Sequence, residues 1–254
     1  PLVAELFGPD VRLPAIATPA VSYGHPNALG AELVFPEDGE VAVRPLFDRG
    51  SLADAAAALR RPVDFASGGM APFYLDFRRR LQAAFPGEPV AFGFGLEGPL
   101  TTAYELRGQS IFTDIFDDPV GAAEFLGAVT DSIFEFHAFV CSLSGDAPSG
   151  RDGAGMADDS AAFIPPRLFP EFVLPYWERY YAARTRGRRH AHVEGLTPDQ
   201  LPFLEQARIT HFDPSISPRL DPRAIAARCR VPFSWRLGSF HYAALSAGDV
   251  RDFV

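Results

Sequence analysis

Arg189-His190-Ala191-His192-Val193-Glu194-Gly195 is the stretch on which the fold turns. It reads as a short strand, residues 189–193, that ends in chemistry-bearing side chains. In extended backbone, residues two apart point to the same face, so His192 and Glu194 aim at one point. They suit a metal pair or an acid/base pair; the bland alternative is a chance His and Glu in a surface loop. Two other runs end the same way. Gly153-Ala154-Gly155-Met156-Ala157 leads into Asp158-Asp159-Ser160, and the run 207–212 leads into His211-Phe212-Asp213-Pro214. A further strand is predicted over 231–235, with Arg236 and His241 after it. Upstream, Pro89-Val90-Ala91-Phe92-Gly93-Phe94-Gly95 is uncharged and reads as a strand covered on both faces. Glu97 projects from its end, before the tight exit Gly98-Pro99.

Outward from these runs, the spacing predicts helices over 52–59, 73–85, 119–141 and 168–182. Strand-like runs at 32–35 and 40–44 flank the turn signal Pro36-Glu37-Asp38-Gly39. Strands alternating with helices imply a parallel sheet, whose functional groups gather at the C-terminal strand ends. The expected fold is therefore α/β, a (β/α)8 barrel. A doubly wound open sheet shares the alternation. Its glycine fingerprint would open the first helix of the chain, whereas Gly93, Gly95 and Gly98 lie well inside it and Pro99 follows. No repeat or low-complexity linker appears, so one domain over 1–254 is expected. The start at Pro1 and the end at Val254 suggest barrel parts outside this chain at both ends.

Bulk properties narrow the function. The 254 residues are 47% hydrophobic and 22% charged, enough for a sizeable core. All 23 basic residues are arginine, and the net charge of −9 argues against a phosphate-backbone binder, so no nucleic-acid partner is expected. No apolar stretch approaches a membrane span of about 20 residues. Two cysteines, Cys141 and Cys229, are too few for a disulfide framework and fit a reducing cytoplasm.

Each candidate has a structural alternative. Asp158, Asp159 and Ser160 could cap a turn. Asp213 could bond loop amides, and Glu97 could pair with an arginine. His25, in Tyr23-Gly24-His25-Pro26, joins Arg236 and His241 as lesser candidates. His190 reads as structural or exposed, and Arg188-Arg189 as a solvated charge run.

Four passages together resemble the uroporphyrinogen decarboxylase superfamily, which includes cobamide-linked methyltransferases. They are Glu97-Gly98-Pro99-Leu100-Thr101-Thr102-Ala103 with Leu106-Arg107-Gly108; Asp158-Asp159-Ser160 with Ile164-Pro165-Pro166 and Phe172-Val173-Leu174-Pro175-Tyr176; His192-Val193-Glu194-Gly195; and, loosely, Gly248-Asp249-Val250-Arg251. They span the chain from about His25 onward. The resemblance implies a (β/α)8 barrel enzyme, first of all a metal-dependent methyltransferase that moves a methyl group between a corrinoid protein and a small acceptor. It implies zinc or another divalent ion on His192 and Glu194, with Asp213 as a further candidate ligand. Glu97, Asp158 and Asp213 then take catalytic roles, and His25, Asp159, Arg236 and His241 contact substrate. Glu194 stands where those enzymes often carry cysteine, so the implied site is His/carboxylate. A cofactor-free decarboxylase, with Asp158 facing a protonated pyrrole, is the alternative, although the arginine-rich motif of true decarboxylases is not visible. A non-catalytic binding barrel is the third reading.

Overall fold

The computed structural model describes residues 15–217, 219–238 and 244–253. Internal contacts divide the chain into two compact units, Pro1–Arg44 with Val63–Leu96, and Pro45–Pro62 with Glu97–Val254.

The first unit contains β1 (Ile16–Ala17), a hairpin of β2 (Glu32–Val34) and β3 (Ala42–Arg44), and β4 (Val90–Ala91). β1 and β4 run parallel, with Ile16 opposite Val90. The hairpin forms around the predicted turn, pairing Glu32 with Arg44. The strand expected over 89–95 is shortened to β4 and a single bridge from Val21 to Phe94. Gly93 explains the interruption. Its N–H donates to Thr18 Oγ1 at 2.7 Å, and a Cβ at this position would lie 2.5 Å from Pro19 O. The helix Ala71–Ala84 packs its buried Tyr74 against Phe94, ring centroids 4.7 Å apart.

The second unit is built on three parallel strands, β5 (Arg151–Ala157), β6 (Thr185–His192) and β7 (His211–Asp213), in that spatial order. Ala157 lies opposite His192, and His192 opposite Asp213, so the three strand ends are level. Phe212 bridges onward to Phe233, the only strand-like pairing described in the run expected over 231–235. The two faces differ in chemistry. Ala154, Met156, Ala191 and Phe212 are buried, while the alternate residues Gly155, His190, His192, His211 and Asp213 face outward. The covering element is the helix Leu174–Arg184. Its Trp177, Tyr180 and Tyr181 are almost fully buried, each worth about 2–3 kcal/mol of apolar burial. Their polar ends are satisfied too: Tyr180 donates to Gly155 O at 3.0 Å and Tyr181 to His190 O at 2.6 Å.

Several expectations are corrected. The helix over 168–182 is two helices, Phe169–Phe172 and Leu174–Arg184, because Val173 leaves helical geometry just before Pro175. β7 starts four residues late, since Ala207 closes the helix Pro202–Gln206 and Arg208 turns with φ 56°. Arg189 is not a solvated charge. It is 8% exposed and forks onto the Glu178 carboxylate at 2.5 and 3.1 Å.

The long helix Pro119–Ser142 ends one residue from expectation. Asp118 caps it by accepting from Gly121 N at 2.9 Å, Pro119 occupies the first turn, and Phe125, Val129, Ile133 and Phe136 are buried. It packs against the helices Leu52–Leu59 and Pro99–Arg107. The chain is thus α/β. Its described strands form two two-stranded sheets and one three-stranded sheet, so the expected eight-stranded ring is not traced among the described residues. No described helix is long and apolar enough to cross a membrane.

Candidate functional site

The level ends of β5, β6 and β7 bring predicted residues together around His192. Its Nδ1 lies 3.0 Å from Asp213 Oδ2. Its Nε2 faces Asp159 Oδ1 at 3.9 Å and Glu194 Oε1 at 3.8 Å. Asp213 is itself held from several sides. Ser215 N donates to Oδ1 at 2.8 Å, and Arg236 approaches Oδ2 at 3.5 Å while donating to Ser215 Oγ at 3.1 Å. Burial alone would raise the Asp213 carboxyl; the bonds from His192 and Ser215 and the nearby positive charge outweigh it and hold it below the usual range. An ionised Asp213 accepts at Nδ1 and orients the ring, so Nε2 is the nitrogen that faces the two carboxylates.

Asp159 accepts the Glu194 N–H at 2.7 Å, so the two loops after β5 and β6 are tied through a side chain. Burial, opposed by that bond and by His192, pushes its carboxyl up. Asp159 is therefore not a turn cap.

Asp158 turns the other way. It is fully buried, and both oxygens are engaged, accepting Thr101 N at 2.7 Å and Trp177 Nε1 at 2.6 Å. Burial pushes it up to about 6 against those bonds. Its position, at the start of the helix Pro99–Arg107, anchors that helix to the strand end. Gly98 makes the approach possible, since a Cβ there would meet Asp158 Cβ at 2.5 Å. Glu97 is also buried, and its charge adds to burial in raising Glu105 to about 9.

Of the remaining candidates, His25 lies in the first unit, fully buried, with its ring 6.2 Å from Phe65. Burial lowers it to about 3, so it is neutral at pH 7. His241 lies outside the described residues. Two further residues lie beside the cluster: His211, which the sequence reading grouped with Asp213 on one face without assigning it a role, and His190, which it took as structural or exposed. His190 and His211 are paired across β6 and β7, with ring centroids 5.6 Å apart, and His211 Nε2 lies 2.8 Å from Ser234 Oγ. The signal was present: His190 and His192, like His211 and Asp213, are two residues apart on adjacent strands.

The outward face of the sheet borders a cavity of about 370 Å³ lined by Gly155, His190, His192, His211, Asp213 and Ser234 among others. Asp159 and Glu194 line a second cavity of about 290 Å³ with Phe163 and Arg219. Zinc needs about 2.0–2.2 Å to each nitrogen or oxygen ligand. Among the described residues, no three His, Cys, Asp or Glu side chains are arranged to hold a metal ion. Asp213 on Nδ1 would orient the ring for a ligand at Nε2, but Nε2, Asp159 and Glu194 are not arranged together as a ligand set.

The family model described as uroporphyrinogen decarboxylase matches residues 7–232. Among solved structures, a methyltransferase from Methanosarcina mazei superposes with a TM-score of 0.63 at 19% identity. The alignment covers 90% of this chain but 65% of that structure, so this chain spans under two thirds of its length. No curated protein matches the chain.

Proposed function

We propose, from the premise that this chain belongs to the uroporphyrinogen decarboxylase family, that it is a methyltransferase acting on a small protic acceptor at the His192 cluster. One observation carries the reading: His192 is oriented by Asp213 through Nδ1 and presents Nε2 to open, carboxylate-lined space. A thiol acceptor placed there gives its proton to Nε2. The imidazolium that forms is stabilised by Asp213, Asp159 and Glu194, and the deprotonated acceptor takes up the methyl group. A corrinoid on a partner protein would supply that group and keep the electron pair of the broken cobalt–carbon bond. On this reading the three strands are part of a (β/α) barrel and residues 1–254 are one domain. Zinc or another divalent ion on His192 and Glu194 gets no support from the donor geometry, and no step is assigned to it.

A family decarboxylase is the second reading. Arg236 and Arg219 at the site are the observation in its favour, since substrate carboxylates need such partners. Three carboxylates crowd the same place, which favours methyl transfer.

The test is transfer from free methylcobalamin to a thiol. His192→Ala and Asp213→Asn should each lower kcat by about a hundredfold, the scale of general-base catalysis. Unchanged transfer in His192→Ala would sink the reading. Metal content of wild type, His192→Ala and Glu194→Ala runs in parallel. Near-stoichiometric zinc lost in both variants would overturn the metal-free route.

A further inference from the structure

A cavity of about 410 Å³ opens at the end of β6 remote from His192, lined by Thr185, Arg186, Gly187, Arg189, Arg208 and Thr210 among others. Its walls come from residues 182–210 alone: the end of the helix Leu174–Arg184, the start of β6 and the turn before β7. Three guanidiniums border it and no carboxylate does, in a chain whose net charge is −9. Among the described residues, Glu178 answers them from behind, holding Arg189 at 2.5 and 3.1 Å and pairing with Arg208. Arg189 also donates to Ala207 O at 2.9 Å, so it is a fixed part of the wall. The guanidinium of Arg186 has no hydrogen bond or ion pair among the described residues, and the residue is exposed. One carboxylate against three cations leaves a surplus of two positive charges. Both hydroxyls at the cavity are engaged with backbone. Thr185 Oγ1 donates to Arg151 O at 2.7 Å and accepts from Gly187 N at 2.9 Å. Thr210 Oγ1 donates to Arg189 O at 3.0 Å and accepts from Arg189 N at 2.9 Å. Recognition therefore falls to charge. Arg208 adds an independent sign: it sits at φ 56°, just past the helix Pro202–Gln206, in the left-handed conformation that usually goes to glycine. A cation is kept at the cavity despite the steric cost of a side chain in that backbone.

We propose that this cavity binds a small phosphorylated molecule, with Arg186 and Arg208 as its movable clamps and Arg189 as a fixed third cation. Guanidinium forks match phosphate oxygens two at a time. A phosphoryl group near neutral pH carries about −1.5 to −2 on a single centre, which answers the surplus of two, whereas a dicarboxylate spreads the same charge over its length. The site does not depend on the reading of the His192 cluster. Arg186 and His192 lie on one strand, six residues or about 20 Å of strand rise apart, so a ligand here leaves the strand ends free.

The probe is inorganic phosphate, with succinate as the comparison dianion, in isothermal titration of the purified chain at neutral pH and low salt. Phosphate should bind saturably at one site, more tightly than succinate, and more weakly as salt is added. Arg186→Gln and Arg208→Gly should each weaken phosphate about tenfold or more, the scale of a hydrogen bond to a charged group. Arg208→Gly suits the left-handed backbone and removes only an exposed ion pair, so its urea midpoint should match the wild type and a loss of binding is not a loss of fold. Arg236→Gln, at the other end of the sheet, should bind phosphate like the wild type. No saturable binding up to about 10 mM, a range in which even weak sites fill, would overturn the site. Succinate binding as tight as phosphate would overturn the phosphoryl assignment. Phosphate binding lost in Arg236→Gln but kept in Arg186→Gln would place the anion beside Asp213 and overturn the proposal.

Discussion

Asp158 shows how a single carboxylate can sit in a row of candidate catalytic groups and have another task. Its two oxygens accept from Thr101 N and Trp177 Nε1, and no part of it reaches solvent. Asp158→Asn keeps the shape but turns one acceptor into a donor facing a donor, which should cost about 2 kcal/mol. Urea denaturation checks this. The pH dependence has a definite sign. The folded carboxyl is raised from 3.8 to about 6, so its contribution to stability is complete below pH 3.8 and is lost as pH rises through 6. The gap between wild type and variant should therefore narrow between pH 4 and 6. This role was not legible in the sequence. Asp158 and Asp159 look alike there, and the residues that separate them, Gly98, Thr101 and Trp177, are distant in the chain. His192 and Asp213 were legible because both end strands, and level ends make them neighbours.

At the scale of elements, the long helix was readable to within one residue because cap, first-turn proline and apolar period all agree over Pro119–Ser142. The short strands were not, because local chemistry overrides pattern: Gly93 hands its N–H to a threonine side chain, and Arg208 breaks the run before β7. The helix Leu174–Arg184 and β6 are joined by a pairing the sequence concealed. Glu178 is held down to about 2, first by its hydrogen bonds from Arg189, with Arg208 adding a second cation. Because Glu178 is 43% exposed, solvent screens much of this, but Arg189 is buried and would be left unpaired. Glu178→Gln should cost about 1–2 kcal/mol in thermal or chemical denaturation at pH 7. The cost should be present above pH 4.5 and vanish as pH falls toward 2, the direction set by a depressed carboxyl.

Over the whole molecule, the buried carboxyls Asp158 and Glu105 are both pushed up, mainly by burial. The native chain then holds protons that the unfolded chain has released. Stability should fall with rising pH across the interval from 4.5 to 9 that Glu105 spans. Glu105→Gln stays neutral at every pH, so its urea midpoint should hold between pH 6 and 9 while the wild-type midpoint drops. A wild-type midpoint that is flat over this range would mean that Glu105 ionises without cost in the fold. The net charge of −9 was visible from composition alone, whereas the two raised carboxyls were not, because burial is a property of packing.

The bond from Glu194 N to Asp159 Oδ1 has a consequence for traffic through the site. His192 lines one cavity and Asp159 and Glu194 line the other, so the bond holds the carboxylates of one chamber beside the imidazole of its neighbour, and a guest in either is felt by the same ring.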